Sequence, residues 1–445
     1  MHRKDIMALG FMTFSLFLGA GNIIYPPMLG QQAGYAILAA IAGFLLTSVG
    51  LPLLALVSIA HAGNAQKLTD ILPTRWIKIF WVLLFIVIGP AFAIPRTAVV
   101  AYELGVTSFI DHPAWWQLAL YSIGFFSVVL WLCLKPGSLL DAVGKLMTPM
   151  LLILLTAIGI GLLWNPLGAI QPALGVYQHA PFTQSLIQGY MTMDCLGALA
   201  FGAIIGQAIR SKGITEPHLI ARYTTVAALI AAMGLALVYI MLVYLGATSS
   251  TVAPGADNGG QILTLYVARL FGLPGQIALS GIITLACLTT AIGVSSAAAD
   301  YFGTLNLSSI NKHLSKKQRY RLCLMTVIIL STLIANIGLT QLIQLSVPVL
   351  ITIYPLAICV VCLQFIRNKL TNPRYTYRLT ITVVTFFSVI DGINATGLIS
   401  TTVTGAFSQW LPLFDLKLGW VLPALLTLGM TCWYPTQKIS PTEPT

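Results

Sequence analysis

Two short stretches hold the residues whose types and spacing could bind something. The first, Gly19-Ala20-Gly21-Asn22, is followed closely by Tyr25-Pro26-Pro27. Glycine weakens a helix, asparagine favours turns, and each proline removes a helical hydrogen bond one turn upstream. Unwinding is therefore expected near 19–23, with backbone amides and carbonyls set free. The second stretch runs Gly189-Tyr190-Met191-Thr192-Met193-Asp194-Cys195-Leu196-Gly197 and on to Gly202, placing one carboxylate in an otherwise apolar run. Freed backbone groups and a lone carboxylate suit the recognition of a small polar solute or an ion. They do not supply a paired acid and base. For the glycines, a small-residue face for helix packing is the plainer alternative.

The elements that must position these residues are set by composition. Of 445 residues, 57% are hydrophobic and only 8% are charged. So few charges cannot cover a water-facing surface, so lipid is the expected solvent for most of the chain. Apolar runs of spanning length fall near 6–30, 35–60, 77–103, 115–134, 142–164, 186–209, 221–247, 275–303, 321–337, 341–366, 378–397 and 417–434. The expected class is all-α, a polytopic membrane protein of about twelve helices. Met1-His2-Arg3-Lys4-Asp5 leads into the first run without a small-residue cleavage site, so that run is expected to be a retained span.

Basic residues sort the two sides. With the N-terminus in the cytoplasm, all but three of the 23 basic residues fall in cytoplasmic segments, among them Lys67, Arg75, Lys135, Lys145, Arg210, Lys212, Lys312, Lys317, Arg321, Arg367 and Lys438. Arg269 and Lys417 lie outside, and Arg96 lies within the third span. Such a split predicts both termini in the cytoplasm of a plasma membrane, in bacteria the inner membrane. The net charge of +11 is spread over short clusters between spans rather than gathered on one face, which argues against a nucleic-acid partner.

Other chemistries find little support. The seven cysteines lie in apolar segments, and Cys359-x-x-Cys362 reads as small apolar filler. The six histidines lie in loops or at span edges with no metal-ligand spacing, and no close carboxylate pair occurs within one span. An enzyme is not expected. No phosphate-binding Gly-rich loop is present, so uphill transport would draw on an ion gradient. A channel is the competing membrane class, but no repeated filter element is visible.

The two interruptions open the first and sixth spans, five apart. Because five is odd, a repeated five-span unit runs inverted, and paired interrupted helices in two inverted halves point to a secondary transporter's site. The chain resembles the branched-chain amino acid:cation symporter family (BrnQ type), within the leucine-transporter-like amino acid–polyamine–cation fold. Gly10–Pro27, Gly189–Gly202 and Ser346-Val347-Pro348-Val349-Leu350-Ile351-Thr352-Ile353-Tyr354-Pro355 carry the likeness. It implies a five-plus-five inverted repeat with broken first and sixth helices, divided as 1–170, 185–366 and two further helices over 376–434 within one transporter domain.

The resemblance also implies the site. Gly19, Ala20 and Gly21 would receive a substrate carboxylate at a half-helix N-terminus, with Asn22 closing the motif, and Thr192, Met193, Asp194 and Leu196 would face the amino group. The implied activity is sodium-coupled symport of leucine, isoleucine and valine. Alternatives on the same fold are proton coupling, another small amino acid, or a nucleobase. Ala286, Thr289 and Thr290 match a sodium site of the wider fold, with the carbonyls of Ser15 and Leu18 completing it. Sodium is hard and prefers such oxygens. The threonines could instead bond only their own helix, and Ser295–Ser296 is a rival pair. Sodium is thus the expected coupling ion, no cofactor is expected, and nothing in the chain specifies an oligomeric state.

Among remaining ionisable groups, Asp194 is the first functional candidate. Arg96 follows the Gly89–Pro95 interruption and reads either as pore-lining or as one half of an ion pair. Asp300 and Asp391, near span ends, are expected to reach the interface.

Overall fold

The computed structural model describes residues 2–110, 114–135, 148–305, 314–398 and 401–433. The start of the expected fifth span (142–147), together with Lys145, Lys312, Lys438, His112 and His313, lies outside them. The described residues form helices and connecting turns with no strand.

The first apolar run becomes α1 (Arg3–Phe17) and α2 (Ala20–Ala33), interrupted at Leu18–Gly19. After a turn at Gly34, where φ is +48°, α3 (Ile37–Leu45) and α4 (Leu51–Ala62) continue through a π-turn at Leu46–Gly50. The third run is α5 (Thr74–Ile86) and α6 (Ala93–Gly105), joined by a second π-turn, Val87–Ala91, with non-helical backbone at Gly89. Pro90 and Pro95 withhold amide donors there, as their spacing predicts. Then come α7 (Trp115–Cys133) and α8 (Thr148–Trp164).

The sixth run is α9 (Pro181–Tyr190) and α10 (Asp194–Arg210), bent by 41° across Met191–Met193. α11 (Pro217–Ala247) is unbroken. α12 (Gly259–Thr304) is longer than the expected eighth span because it already begins at Gly259 and runs through a kink at Gly272, where φ is +60°. The chain ends with α13 (Lys316–Ala335), α14 (Leu339–Ile366), α15 (Pro373–Ala395), α16 (Thr401–Trp410) and α17 (Val421–Trp433). Among the described residues eight helical stretches are long and apolar enough to cross a bilayer, and the bent α9–α10 pair makes a ninth.

Packing puts the interruptions at the centre. α11 lies against α1, α2 and α4, while α12 lies against α2, α6 and α13. Backbone approaches backbone where α2 crosses α11: a Cβ on Gly246 would sit 1.8 Å from the Pro27 carbonyl oxygen. Only glycine permits that crossing, and small residues are how membrane helices pack tightly without a hydrophobic driving force between them. The outward faces carry Leu38, Trp116, Leu120, Ile153, Met233 and Leu237, large apolar side chains left exposed as lipid contact requires.

Candidate substrate and ion site

α1 ends because Gly19 adopts an extended backbone, and α2 restarts at Ala20. The Asn22 side chain caps this new start: its Oδ1 accepts from the Gly19 amide at 3.2 Å. The Ala20 and Gly21 amides open the helix, where no intrahelical acceptor exists and the helix dipole is positive. In the sixth span, Met193 takes a left-handed backbone (φ +65°), which ends one half-helix and places Asp194 in the first turn of the next. A non-glycine residue in that region costs on the order of 1–3 kcal/mol, and such strain gathers at functional segments.

The two breaks meet through side chains. Asn22 Nδ2 donates to Asp194 Oδ2 at 2.7 Å, and the Tyr239 hydroxyl of α11 donates to the same oxygen at 3.0 Å. Asn22 Nδ2 also contacts the Tyr239 oxygen. All three residues are buried, at 2%, 4% and 0% exposure for Asn22, Asp194 and Tyr239. Sequence reasoning missed Tyr239, since a tyrosine in an apolar span carries no mark of the direction it faces. It likewise missed Tyr354 of α14, which accepts from the Cys195 amide at 3.1 Å and stacks on Tyr190 with ring centres 4.4 Å apart. These rings hold the α10 restart in place.

Arg96 of α6 lies beside both breaks. Its Nη1 donates to the Met191 carbonyl at 2.9 Å and to the Tyr25 hydroxyl at 3.4 Å. A Cβ on Gly21 would lie 2.7 Å from Nη2 and 3.2 Å from the Thr192 Cα. Gly21 therefore lets the guanidinium and the sixth-span backbone approach the first break. Among the described residues no carboxylate lies within 4 Å of Arg96, Asp194 included, so the ion-pair reading of Arg96 is not met.

On the other side of the first break, Thr289 Oγ1 donates to the Ser15 carbonyl at 2.9 Å and to the Ala286 carbonyl at 3.0 Å. Thr290 Oγ1 donates to the Leu16 carbonyl at 3.0 Å. The two hydroxyls thus reach across helices to carbonyls freed at the end of α1, rather than bonding only their own helix. The Ser15 carbonyl, Ala286 carbonyl and Thr289 hydroxyl converge. Leu18 is the buried residue at which α1 stops, and Thr290 abuts Gly19. The rival serines are arranged differently: Ser296 bonds Cys133 Sγ at 3.3 Å, and the buried Ser295 hydroxyl has no partner among the described residues.

A cavity of about 30 Å³ joins these groups, lined by Gly19, Gly21, Arg96, Asp194, Phe201 and Thr290 among others. It has room for roughly two waters. Ala20, Asn22, Thr192 and Met193 also line it, whereas Leu196 is buried away from it. A second, much wider cavity of about 850 Å³ opens beyond Ala200 and Ala297 toward Lys212, Lys317 and Arg321. Asp391 departs from its expected place: α15 turns it inward to 0% exposure, and its oxygens face the Gly419–Trp420 backbone without a well-formed hydrogen bond. The segment before α17 folds over what would otherwise be an interfacial side chain. Asp300 is exposed, as expected.

Both sequence and fold match known proteins. A family model described as branched-chain amino acid transport protein matches residues 2–438. The chain belongs to that family. Relatives of this family member include the branched-chain amino acid transport system 2 carrier protein of Pseudomonas aeruginosa, 46% identical over 96% of each chain. The branched-chain amino acid permease BraB of Bacillus subtilis is 40% identical, over 95% of this chain and 94% of its own. Among solved structures, a Na+-coupled sialic acid symporter in a substrate-bound outward-open state matches with a TM-score of 0.61 at 11% identity, over 96% of this chain and 89% of that one. At that identity the likeness is one of fold. As a member of this family the chain is an integral membrane transporter and not an enzyme.

Proposed function

We propose that this protein is a secondary active transporter that carries leucine, isoleucine and valine into the cell, driven by a sodium gradient. The observation that carries the reading is the joining of the two breaks through Asn22, Asp194 and Tyr239 beside the first amides of α2. Family membership supports the substrate class, since the relatives are carriers and permeases of branched-chain amino acids. In this reading the Ala20 and Gly21 amides receive the substrate carboxylate, the Gly19 amide being taken by Asn22 Oδ1. The Asp194 carboxylate, with the neighbouring sixth-span backbone, receives the ammonium group. The Ser15, Leu18 and Ala286 carbonyls with the Thr289 and Thr290 hydroxyls hold sodium, a set of neutral oxygens suited to a hard monovalent ion.

Alternating access follows from the two cavities. The wide vestibule lies on the side of Lys212, Lys317 and Arg321, which the basic-residue distribution makes cytoplasmic. Carrying leucine across requires the small cavity to open toward each side of the membrane in turn. Both termini are assigned to the cytoplasm of the bacterial inner membrane, with 1–170 and 185–366 as the inverted halves. A second reading, proton coupling, is favoured by one observation, the fully buried carboxylate of Asp194 at the junction of the breaks. Counterflow in liposomes with purified protein, varying sodium and amino acid separately, tests both. Leucine exchange that requires sodium supports the first, and exchange indifferent to sodium but dependent on a pH gradient supports the second.

A further inference from the structure

A membrane protein keeps a buried charge only where something offsets its desolvation. Asp194 is held by Asn22 and Tyr239. Arg96, 4% exposed, has no such counterpart. Its Nη1 serves the Met191 carbonyl and the Tyr25 hydroxyl, both neutral, and its Nε has no hydrogen-bond partner among the described residues. The Tyr25 ring, 5.8 Å from the guanidinium carbon, offers only a weak face. Yet the guanidinium lines the same small cavity as Asp194 and lies against Gly21, next to the free amides of α2.

We infer that Arg96 is a substrate-binding residue whose guanidinium pairs with the carboxylate of the bound amino acid, so that Arg96 and Asp194 clamp opposite ends of a zwitterion. This rests on the functional reading above and adds to it the group that supplies positive charge, since amides alone supply only dipoles. Arginine suits the task because its planar fork can spend one edge on the Met191 carbonyl and offer the other to a carboxylate. The substrate thereby neutralises a cation that the empty protein leaves unpaired, and ties the interrupted third span to the breaks of the first and sixth. Neutral analogues lacking the carboxylate would leave Arg96 uncompensated, so selection for amino acids over amines and amides is built into the site.

The test compares leucine with leucinamide, in which a neutral amide replaces the carboxylate, by equilibrium binding to purified full-length protein in sodium. Wild type is expected to bind leucine at least tenfold more tightly, the size expected of a charge-assisted bond. Arg96→Gln, which still offers a donor to the Met191 carbonyl, is expected to bring the two ligands within about threefold. Arg96→Lys, keeping charge without the fork, should fall between. Wild type binding leucinamide as tightly as leucine overturns the inference without any variant. So does an Arg96→Gln protein that weakens both ligands equally, the signature of a structural role. Wild type that binds none of leucine, isoleucine or valine overturns the functional reading itself, a different result from lost discrimination.

Discussion

Asp194→Asn changes one atom and one charge at the junction of the two broken spans, and the structure separates its effects on stability from those on binding. In the wild-type protein Oδ2 accepts from Asn22 at 2.7 Å and from Tyr239 at 3.0 Å. An asparagine oxygen in that place keeps both donors but makes the bonds neutral, a loss of roughly 1 kcal/mol each. Against this, the variant no longer holds a charge inside the membrane, which costs about 2.5–3.5 kcal/mol at a helix centre on insertion scales. No arginine is left stranded, because Arg96 makes no ion pair with Asp194. The terms nearly cancel, so the variant should insert, purify and melt within a few degrees of wild type. Binding behaves otherwise. Removing one partner of a buried charge pair costs about 2–5 kcal/mol, so leucine affinity should fall at least 30-fold. Thermal melting and leucine titration on the same preparation decide it. A variant of normal stability and unaltered leucine affinity would refute the reasoning, and one that fails to fold would show that the carboxylate is structural.

Three further outcomes follow from the same geometry. Thr289→Ala should raise the sodium concentration needed for half-maximal uptake several-fold, and Thr290→Ala should do the same. Unchanged sodium dependence in both, with a shift in Ser295→Ala or Ser296→Ala, would move the ion site toward the serines. Gly21→Ala drives a methyl group to 2.7 Å from Arg96 Nη2 and 3.2 Å from the Thr192 Cα, so leucine affinity should drop more than tenfold while expression persists. Tyr239→Phe removes one of two donors to Asp194 and should weaken leucine binding less than Asp194→Asn does, read in the same titration.

Part of the candidate site's framework is legible in the sequence alone. Gly19 marked the neighbourhood of the first break, but the unwinding expected over 19–23 is confined to Leu18–Gly19: Asn22 caps α2 from within its first turn, and Pro26 and Pro27 are accommodated inside that helix. The sixth break was legible from Asp194 and its flanking glycines, although the left-handed residue turned out to be Met193. Helix propensity does not single out a methionine for that conformation. The threonines of α12 came from the family resemblance rather than from spacing alone, and the structure sets their hydroxyls against first-span carbonyls. What could not be read were contacts made across the fold. Tyr239, Tyr190 and Tyr354 sit in apolar runs where lipid-facing and inward-facing tyrosines look alike. Asp391 was misplaced because proximity to a span end says nothing about a later segment folding over it. The part of α12 before residue 275 lay outside the expected apolar run, and the positive φ of Gly272 lets the helix kink there and go on.

The most direct test of the account is accumulation of labelled leucine by proteoliposomes containing the purified protein, with sodium imposed outside and none within. The account predicts concentrative uptake that appears with the sodium gradient, collapses when the gradient is dissipated, and is competed by isoleucine and valine. Equal accumulation in sodium-free buffer under a proton gradient would contradict the coupling ion. Absence of leucine uptake beside robust transport of another solute would contradict the substrate.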